Sequence, residues 1–564
     1  MKIKHSLIVI LLLSLVFFQF SCQKSGSPFT MNGWQFHERD TLRIADAIRN
    51  ALDYKVNFFI FSHGLFRSVE DFLASPEWQR DILYLGDLAD ERNIPYYLWI
   101  HEFDDIPDKF KVDQRAYYDP QELFGFTGKR VDFDHPELFS YLEERYNRLL
   151  DAVPNTAGFV LTFHESDNKI FRNTEVKSKL RVPERTYRIC KLIYDVAKNR
   201  NKELIIRNFY YEPLEKEFIY EAWDRLPDDI IAMSKTTFHE FDPFYPPDAI
   251  HGNVGNKRQI IEIDLGVEKV WSRRGAYAQV EYIQRYIRRA QEKGLTGMVG
   301  RARLGWDKPF EDMHEINLYA LSRFMEDPSL SVDEVYRDWA QARYPRDAVP
   351  HIVSALKRTQ DIGHHGRWHL GLWLVKEIGA QWGDYQYYFG HLMLRSRYKW
   401  SHDLRDKELE WKLYFPDREI YNKLLAEKDE VLRQIKASMA DLEKAEPYLS
   451  PEQMESLRED FAFLLDAGQC SREWTQAYFA QRLYVQEPTA EHRKMAEEAL
   501  AKLEALDQAP GITYGRRNSQ TNHRYNIDKF VEKMRWRMDH LEEAITEDNN
   551  ILDRVRRLMD VAYN

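Results

Sequence analysis

The pattern His-Glu-x-Asp occurs four times in this chain, at His37-Glu38-Arg39-Asp40, His101-Glu102-Phe103-Asp104, His164-Glu165-Ser166-Asp167 and His239-Glu240-Phe241-Asp242. With 18 histidines in 564 residues, chance supplies far fewer than one such copy. One copy alone reads as a helix cap or a salt-bridged loop; four together read as a polar, functional rim. A further carboxylate, Glu268, follows Glu240 by 28 positions, and Lys235 stands just ahead of Glu240. Paired carboxylates do general acid and general base work, one giving a proton while the other takes one. Clusters of His and Glu also hold divalent metals, so a metal-dependent barrel hydrolase is an alternative. No tight ligand spacing such as His-Glu-x-x-His is present, and no metal or cofactor is expected.

Such residues act together only if the fold brings them to one place. From residue 29 to about residue 303, short apolar runs alternate with amphipathic helices, the pattern of a parallel sheet. Eight runs have strand character: Met31–Phe36, Asn57–Ser62, Tyr96–Ile100, Gly158–Phe163, Glu203–Phe209, Ile230–Thr237, Gln259–Leu265 and Thr296–Arg301. Helices such as Thr41–Leu52, Pro136–Ala152 and Pro183–Lys198 fall between them. Eight units in roughly 250–270 residues predict a TIM (β/α)8 barrel, whose chemistry sits at the C-terminal ends of the strands. The tetrads follow strands one, three, four and six, so this placement carries them to one mouth. From residue 311 the periodicity is helical. Ser331-Val-Asp-Glu334 opens a helix as a capping box, and Ser450-Pro451-Glu452-Gln453 opens another with Pro at its first position. The expected fold class is thus α/β, a catalytic barrel over 30–310 and an all-helical C-terminal domain over 311–564.

The stretch from Lys235 to Glu268 resembles the family-67 glycoside hydrolases, the α-glucuronidases. The features that carry the resemblance are Lys235, Glu240-Phe241, the proline-rich loop from Pro243 to Pro247, the strand Ile261-Glu262-Ile263, and Glu268. It extends more thinly from Gly158 to Tyr344. Two departures stand out: Glu240 occupies the place of the family's Asp, and Thr162 that of a Lys on the strand before the family's acid. The family's N-terminal β-rich domain has no counterpart here.

The resemblance implies cleavage of a glycosidic bond with inversion, using two carboxyl groups set far enough apart to admit a water. It implies Glu165 as the general acid, with Asp167 also open because the local register shifts by a residue, and Glu240 and Glu268 as the groups that orient and deprotonate the water. The expected substrate carries a uronic acid, on a plant or algal glycan or its oligosaccharides. Lys235 and Arg207 would bind its carboxylate, Arg by planar bidentate pairing. His164, His239, Glu102, Arg303 and Trp306 complete the expected substrate-binding set, although Arg303 also suits a rim salt bridge and Trp306 ordinary packing. A homodimer through the helical domain is the assembly the resemblance implies. The Thr162 and Glu240 departures keep open a non-catalytic glycan-binding lipoprotein.

The N-terminus has the layout of a signal peptide: Lys2, Lys4 and His5, then an apolar run over Leu7–Phe18, too short to span a bilayer comfortably. It stops at Ser21-Cys22, which predicts a lipoprotein signal over 1–22 with lipid on Cys22, and a linker over 23–29. An ordinary secretory signal with a chance Cys is the alternative. The expected location is the cell envelope, lipid-anchored, on the periplasmic face of an outer membrane. Cys190 and Cys470 are too few for a disulfide framework and read as buried small apolar residues. A net charge of −11 argues against nucleic acid as a partner, and aromatics at 14% suit a sugar-binding cleft.

Overall fold

The computed structural model describes residues 27–37, 39–66, 68–113, 129–164, 166–173, 175–210, 213–237, 241–265, 275–302, 313–372, 407–508 and 527–562. Eight strands, β1 (Met31–Phe36), β2 (Phe58–Phe61), β3 (Tyr96–His101), β4 (Gly158–Thr162), β5 (Glu203–Arg207), β6 (Ile231–Lys235), β7 (Arg258–Asp264) and β8 (Gly297–Ala302), close into a barrel. Each pairs in parallel with its neighbours in sequence, and β8 pairs with β1. This is the TIM barrel the strand spacing predicts. β1 has no β-branched residue, yet all six of its positions are buried.

The crossovers carry α1 (Thr41–Asn50), α2 (Val69–Ala74), α3 (Pro76–Asp90), α4 (Leu138–Ala152), α5 (Val182–Asn199), α6 (Pro213–Arg225) and α7 (Val280–Glu292). Between β6 and β7 the described residues form no helix. Pro243, Pro246 and Pro247 account for this, because each lacks the N–H a helix needs and clashes with the preceding turn. The last helix of the ring, α8 (Glu315–Glu326), lies beyond residue 311 and packs on β8 and α7.

Among the described residues nine further helices follow: α9 (Val332–Gln341), α10 (Val349–Lys357), α11 (Thr359–Arg367), α12 (Lys407–Tyr414), α13 (Arg418–Ala445), α14 (Pro451–Gln486), α15 (Ala490–Gln508), α16 (Ile527–Asp539) and α17 (Leu541–Ala562). The expected capping box of Ser331 with Glu334 opens α9, and the expected N-cap Ser450 opens α14, where Gln453 completes a second capping box. The apolar core between barrel and helix ring continues into Val431, Ile435 and Leu442 of α13 and Leu457, Phe461 and Leu464 of α14. The helical region therefore shares a core with the barrel. Its distal helices hold a second core around Trp474, Leu500 and Phe530. Cys190 and Cys470 are both buried.

Inside the barrel, alternation along each strand sends one residue in two to the axis. Met31, Phe58, Ile60, Tyr97, Trp99, Val160, Ile205, Ile231, Met233, Ile260 and Val299 form a closed apolar plug there. At its base Tyr97 Oη donates to Glu203 at 2.5 Å, and Glu203 also pairs with Arg258 at 2.5 Å. Gly33 leaves room for the Phe58 ring; a Cβ on it would lie 2.3 Å from Phe58 Cζ.

Candidate active site at the barrel mouth

One alternation step above the plug, every inward position is polar. The same parity that points Trp99, Val160, Ile205, Met233, Ile260 and Val299 inward also points in His101, Thr162, Arg207, Lys235, Glu262 and Arg301, joined by Gln35 of β1. All are buried. An apolar interior capped at the C-terminal ends of the strands by a polar layer is where a barrel keeps its chemistry.

Glu262 organises this layer. Its carboxylate accepts from Arg207 Nε at 2.6 Å and from the second guanidinium nitrogen at 3.1 Å, while Gln35 Nε2 donates at 3.1 Å. Arg301 Nε stands 3.6 Å away. Three hydrogen bonds and a second guanidinium thus surround one buried carboxylate. The bidentate edge of Arg207, which the sequence assigns to a substrate carboxylate, is thus used on Glu262, and its remaining terminal nitrogen donates to Thr162 Oγ1 at 3.2 Å. Thr162 is the position where a Lys was expected by resemblance; here it receives a guanidinium instead.

His37 has its tautomer fixed. Arg301 Nε donates to His37 Nε2 at 3.1 Å, so Nε2 is an acceptor and the ring proton sits on Nδ1, 3.0 Å from Ser62 Oγ. Ser62 passes its own proton to the Phe36 carbonyl at 2.6 Å. His37 and His63 meet edge-on at 4.7 Å, and both lie within about 6 Å of the Trp99 ring. The Arg207 guanidinium lies 4.9 Å from Trp99 and 4.8 Å from Phe209. Lys235 Nζ lies 4.2 Å from Phe209 and 5.0 Å from Phe241, and Arg301 lies 4.9 Å from Phe241. Two cations thus flank one aromatic ring, an arrangement that favours both.

The tetrads divide the labour. Asp40 caps α1, accepting from the backbone of Leu42 and Arg43. The second and third tetrads interlock. Glu102 Oε1 accepts from the His164 N–H at 3.3 Å and from the Ile170 N–H at 3.5 Å. Asp104 Oδ1 accepts from Asp167 N at 3.3 Å, and Asp167 Oδ2 accepts from Asp105 N at 3.2 Å. The loops after β3 and β4 are further joined by a small sheet of Lys111–Asp113, Lys129–Asp132 and Val176–Lys177. His164 is held at φ +56°, a left-handed conformation uncommon for a residue with a Cβ, and its Nε2 is 2.7 Å from Glu215 Oε2. Burial, opposed by Glu215, depresses the His164 pKa. Burial likewise pushes the Glu102 carboxyl up to about 8. Glu102 and His164, assigned from sequence to substrate, are both fully buried and engaged with internal partners.

From the fourth tetrad, Asp242 Oδ2 accepts from Trp368 Nε1 at 3.0 Å, so the end of α11 supports the loop after β6. Glu165, Glu240, Glu268, His239, Arg303, Trp306 and Cys22 lie outside the described residues. Among the described residues no group of three or more His, Cys, Asp or Glu side chains is arranged to hold a metal ion, and no helix is long and apolar enough to cross a membrane. Sequence reasoning gave Glu262 and Gln35 no site role, and His37 only a place in the rim of tetrads. For Glu262 the signal was present, a lone acid at an inward position between two isoleucines.

No protein-family model matches the sequence, and no curated protein matches it. In fold the chain is similar to a glycoside hydrolase of family 138 described as targeting pectin rhamnogalacturonan II, at TM-score 0.59 and 12% identity, over 92% of this chain and 84% of that one. It also matches an O-GlcNAc hydrolase of Thermobaculum terrenum at TM-score 0.46 and 10% identity, over 93% of this chain and 97% of that one. A family-115 4-O-methyl-α-glucuronidase with specificity for decorated arabinogalactans matches at TM-score 0.46 and 12% identity, over 89% of this chain and 60% of that one. These structural neighbours are glycoside hydrolases, and at such identities the likeness is one of fold.

Proposed function

We propose that this protein is a glycoside hydrolase that removes a uronic acid from a plant or algal glycan or its oligosaccharides. The observation that carries this reading is the polar layer over the apolar plug, with Lys235 and Arg301 against Phe241 beside the Arg207–Glu262 pair. Cations on an aromatic floor suit a sugar ring bearing a carboxylate. The family-138 fold likeness, to an enzyme targeting pectin, agrees with an acidic plant polysaccharide. Glu165 is the general acid in this reading, or Asp167 in the alternative register. Glu240 and Glu268 orient and deprotonate the water, giving inversion. The leader places the mature chain in the cell envelope, anchored through lipid on Cys22, and the helical region is the surface through which a homodimer forms.

The test is hydrolysis of a panel of aldouronic and other uronic-acid oligosaccharides by purified protein from Ser25 onward, beside Glu240→Gln and with chelator. The expected result is release of a uronic acid that the substitution abolishes and chelator leaves unchanged, with the released anomer inverted by NMR. Activity abolished by chelator would replace this mechanism with a metal-dependent one. Binding without release from any oligosaccharide would make the protein a glycan-binding barrel.

A further inference from the structure

The loop after β6 carries a second aromatic ring that the acidic-sugar site leaves unused. Phe241 lies at the mouth, against Lys235 and Arg301. Three residues further on, Phe244 is 38% exposed. Among the described residues the other exposed aromatic side chains, Tyr84, Trp411, Tyr448 and Trp536, belong to helices, and only Phe244 stands on a loop that follows a barrel strand. A single exposed ring needs no explanation by itself. What marks this one is its support.

The Phe244 N–H donates to Asp242 Oδ1 at 3.0 Å, and the other oxygen of that carboxylate takes Trp368 Nε1 at 3.0 Å. His364, His365 and Trp368, at the end of α11, stand 6.0, 5.3 and 6.0 Å from the Phe244 ring, the two imidazoles edge-on. His364 is buried and its Nε2 lies 2.9 Å from the hydroxyl of Tyr277, on the segment after β7. The His365 side chain is 43% exposed, with Nδ1 3.4 Å from Glu427 Oε2, and its carbonyl accepts from the buried Lys428. Three elements thus fix one ring whose outer side meets water. A ring already held in place gives up little freedom when a ligand lies on it. The C–H face of a pyranose, with its hydroxyls at the edge, matches an apolar ring bordered by an imidazole that can bond those hydroxyls.

We propose that Phe244 and His365 form an outer subsite, in which the Phe244 ring stacks on a neighbouring sugar of the glycan while the uronic acid occupies the mouth. Continuity names the occupant. Three residues of one loop separate Phe241 from Phe244, a span of at most about 11 Å, so the next sugars of a chain seated at the mouth come within reach of the ring. The proposal rests on the glycoside-hydrolase reading and gives the helical region a part in substrate binding.

The test uses the shortest and the longest oligosaccharides of the uronic-acid panel with wild type, Phe244→Ala, Phe244→Trp and His365→Ala. Steady-state kinetics, isothermal titration calorimetry and melting temperatures are measured for all. Burial of about 50–60 Å² of apolar surface is worth about tenfold in affinity. Phe244→Ala is therefore expected to raise KM about tenfold more for the longest substrate than for the shortest, with kcat changed less. Phe244→Trp, which keeps a stacking face, restores most of that difference, and His365→Ala acts in the same direction to a smaller extent. A Phe244→Ala effect that is absent, or equal for both lengths, overturns the subsite and leaves the hydrolase reading intact. A wild type that binds the oligosaccharides but releases no sugar overturns the hydrolase reading. In that case a length-dependent loss of binding in Phe244→Ala upholds the subsite, and a length-independent one overturns it. A wild type that neither releases nor binds overturns both.

Discussion

Glu262→Gln tests whether the mouth is built around one buried charge network. Glu262 is fully buried and takes two bonds from Arg207, at 2.6 and 3.1 Å, and one from Gln35 at 3.1 Å, with Arg301 3.6 Å away. The amide retains one acceptor for Arg207, but two guanidinium groups lose the charge that balances them. Two unit charges 4 Å apart interact by about 4 kcal/mol at an effective dielectric near 20. Breaking a buried pair by removing one partner costs about 3–5 kcal/mol. The expected loss is about 3 kcal/mol, at the low end because one hydrogen bond survives. Urea unfolding followed by tryptophan fluorescence reads this loss as a shift in midpoint. With a slope of about 3 kcal/mol per molar urea, the midpoint falls by about 1 M. The double variant Arg207→Met/Glu262→Met removes both charges and is expected to recover most of the stability, because apolar residues of similar volume replace a buried pair at little cost. A Glu262→Gln midpoint within about 0.2 M of wild type would refute the network, as would a double variant no more stable than the single one.

Three further predictions follow from buried groups elsewhere. The Glu102 carboxyl, pushed by burial from the ordinary glutamate range to about 8, binds its proton in the folded state while the unfolded chain has already lost it. Its contribution is therefore full below the unfolded value and is lost as pH rises towards 8, on the order of 5 kcal/mol in all. Glu102→Gln should melt with wild type near pH 5 and above it at pH 9; parallel curves across that range would contradict the assignment. Gly33→Ala drives a methyl to 2.3 Å from Phe58 Cζ inside the plug. Overpacking of this kind costs about 1–3 kcal/mol, and an unchanged melting temperature would show that the ring moves freely. Lys428, buried in α13, donates to Glu427 at 2.8 Å and to the His365 and Trp368 carbonyls. Lys428→Met should cost about 3 kcal/mol, since Glu427 loses its cation and keeps only Leu370 N–H and His365 while two carbonyls lose a donor; Lys428→Met/Glu427→Gln should recover part of it, both read by thermal melting.

Local patterns in the chain determine the barrel and its order. Eight apolar runs with helices between them leave little choice of fold, because each run must be covered on both faces and parallel strands need crossovers. The capping boxes at Ser331 and Ser450, and the helix-free, proline-rich connection after β6, depend on residues within a few positions of one another, so they too are readable in sequence. What each polar group does at the mouth depends on barrel closure. Arg207 meets Glu262 across 55 positions and Asp104 meets Asp167 across 63. Four tetrads of one pattern do not tell which of them caps a helix, as Asp40 does, nor that Asp104 takes the backbone N–H of Asp167 or that Asp242 receives Trp368 from the helical region. A side chain's role is set by which strand stands beside its own and which partner satisfies it there, and only the closed tertiary structure supplies that neighbour.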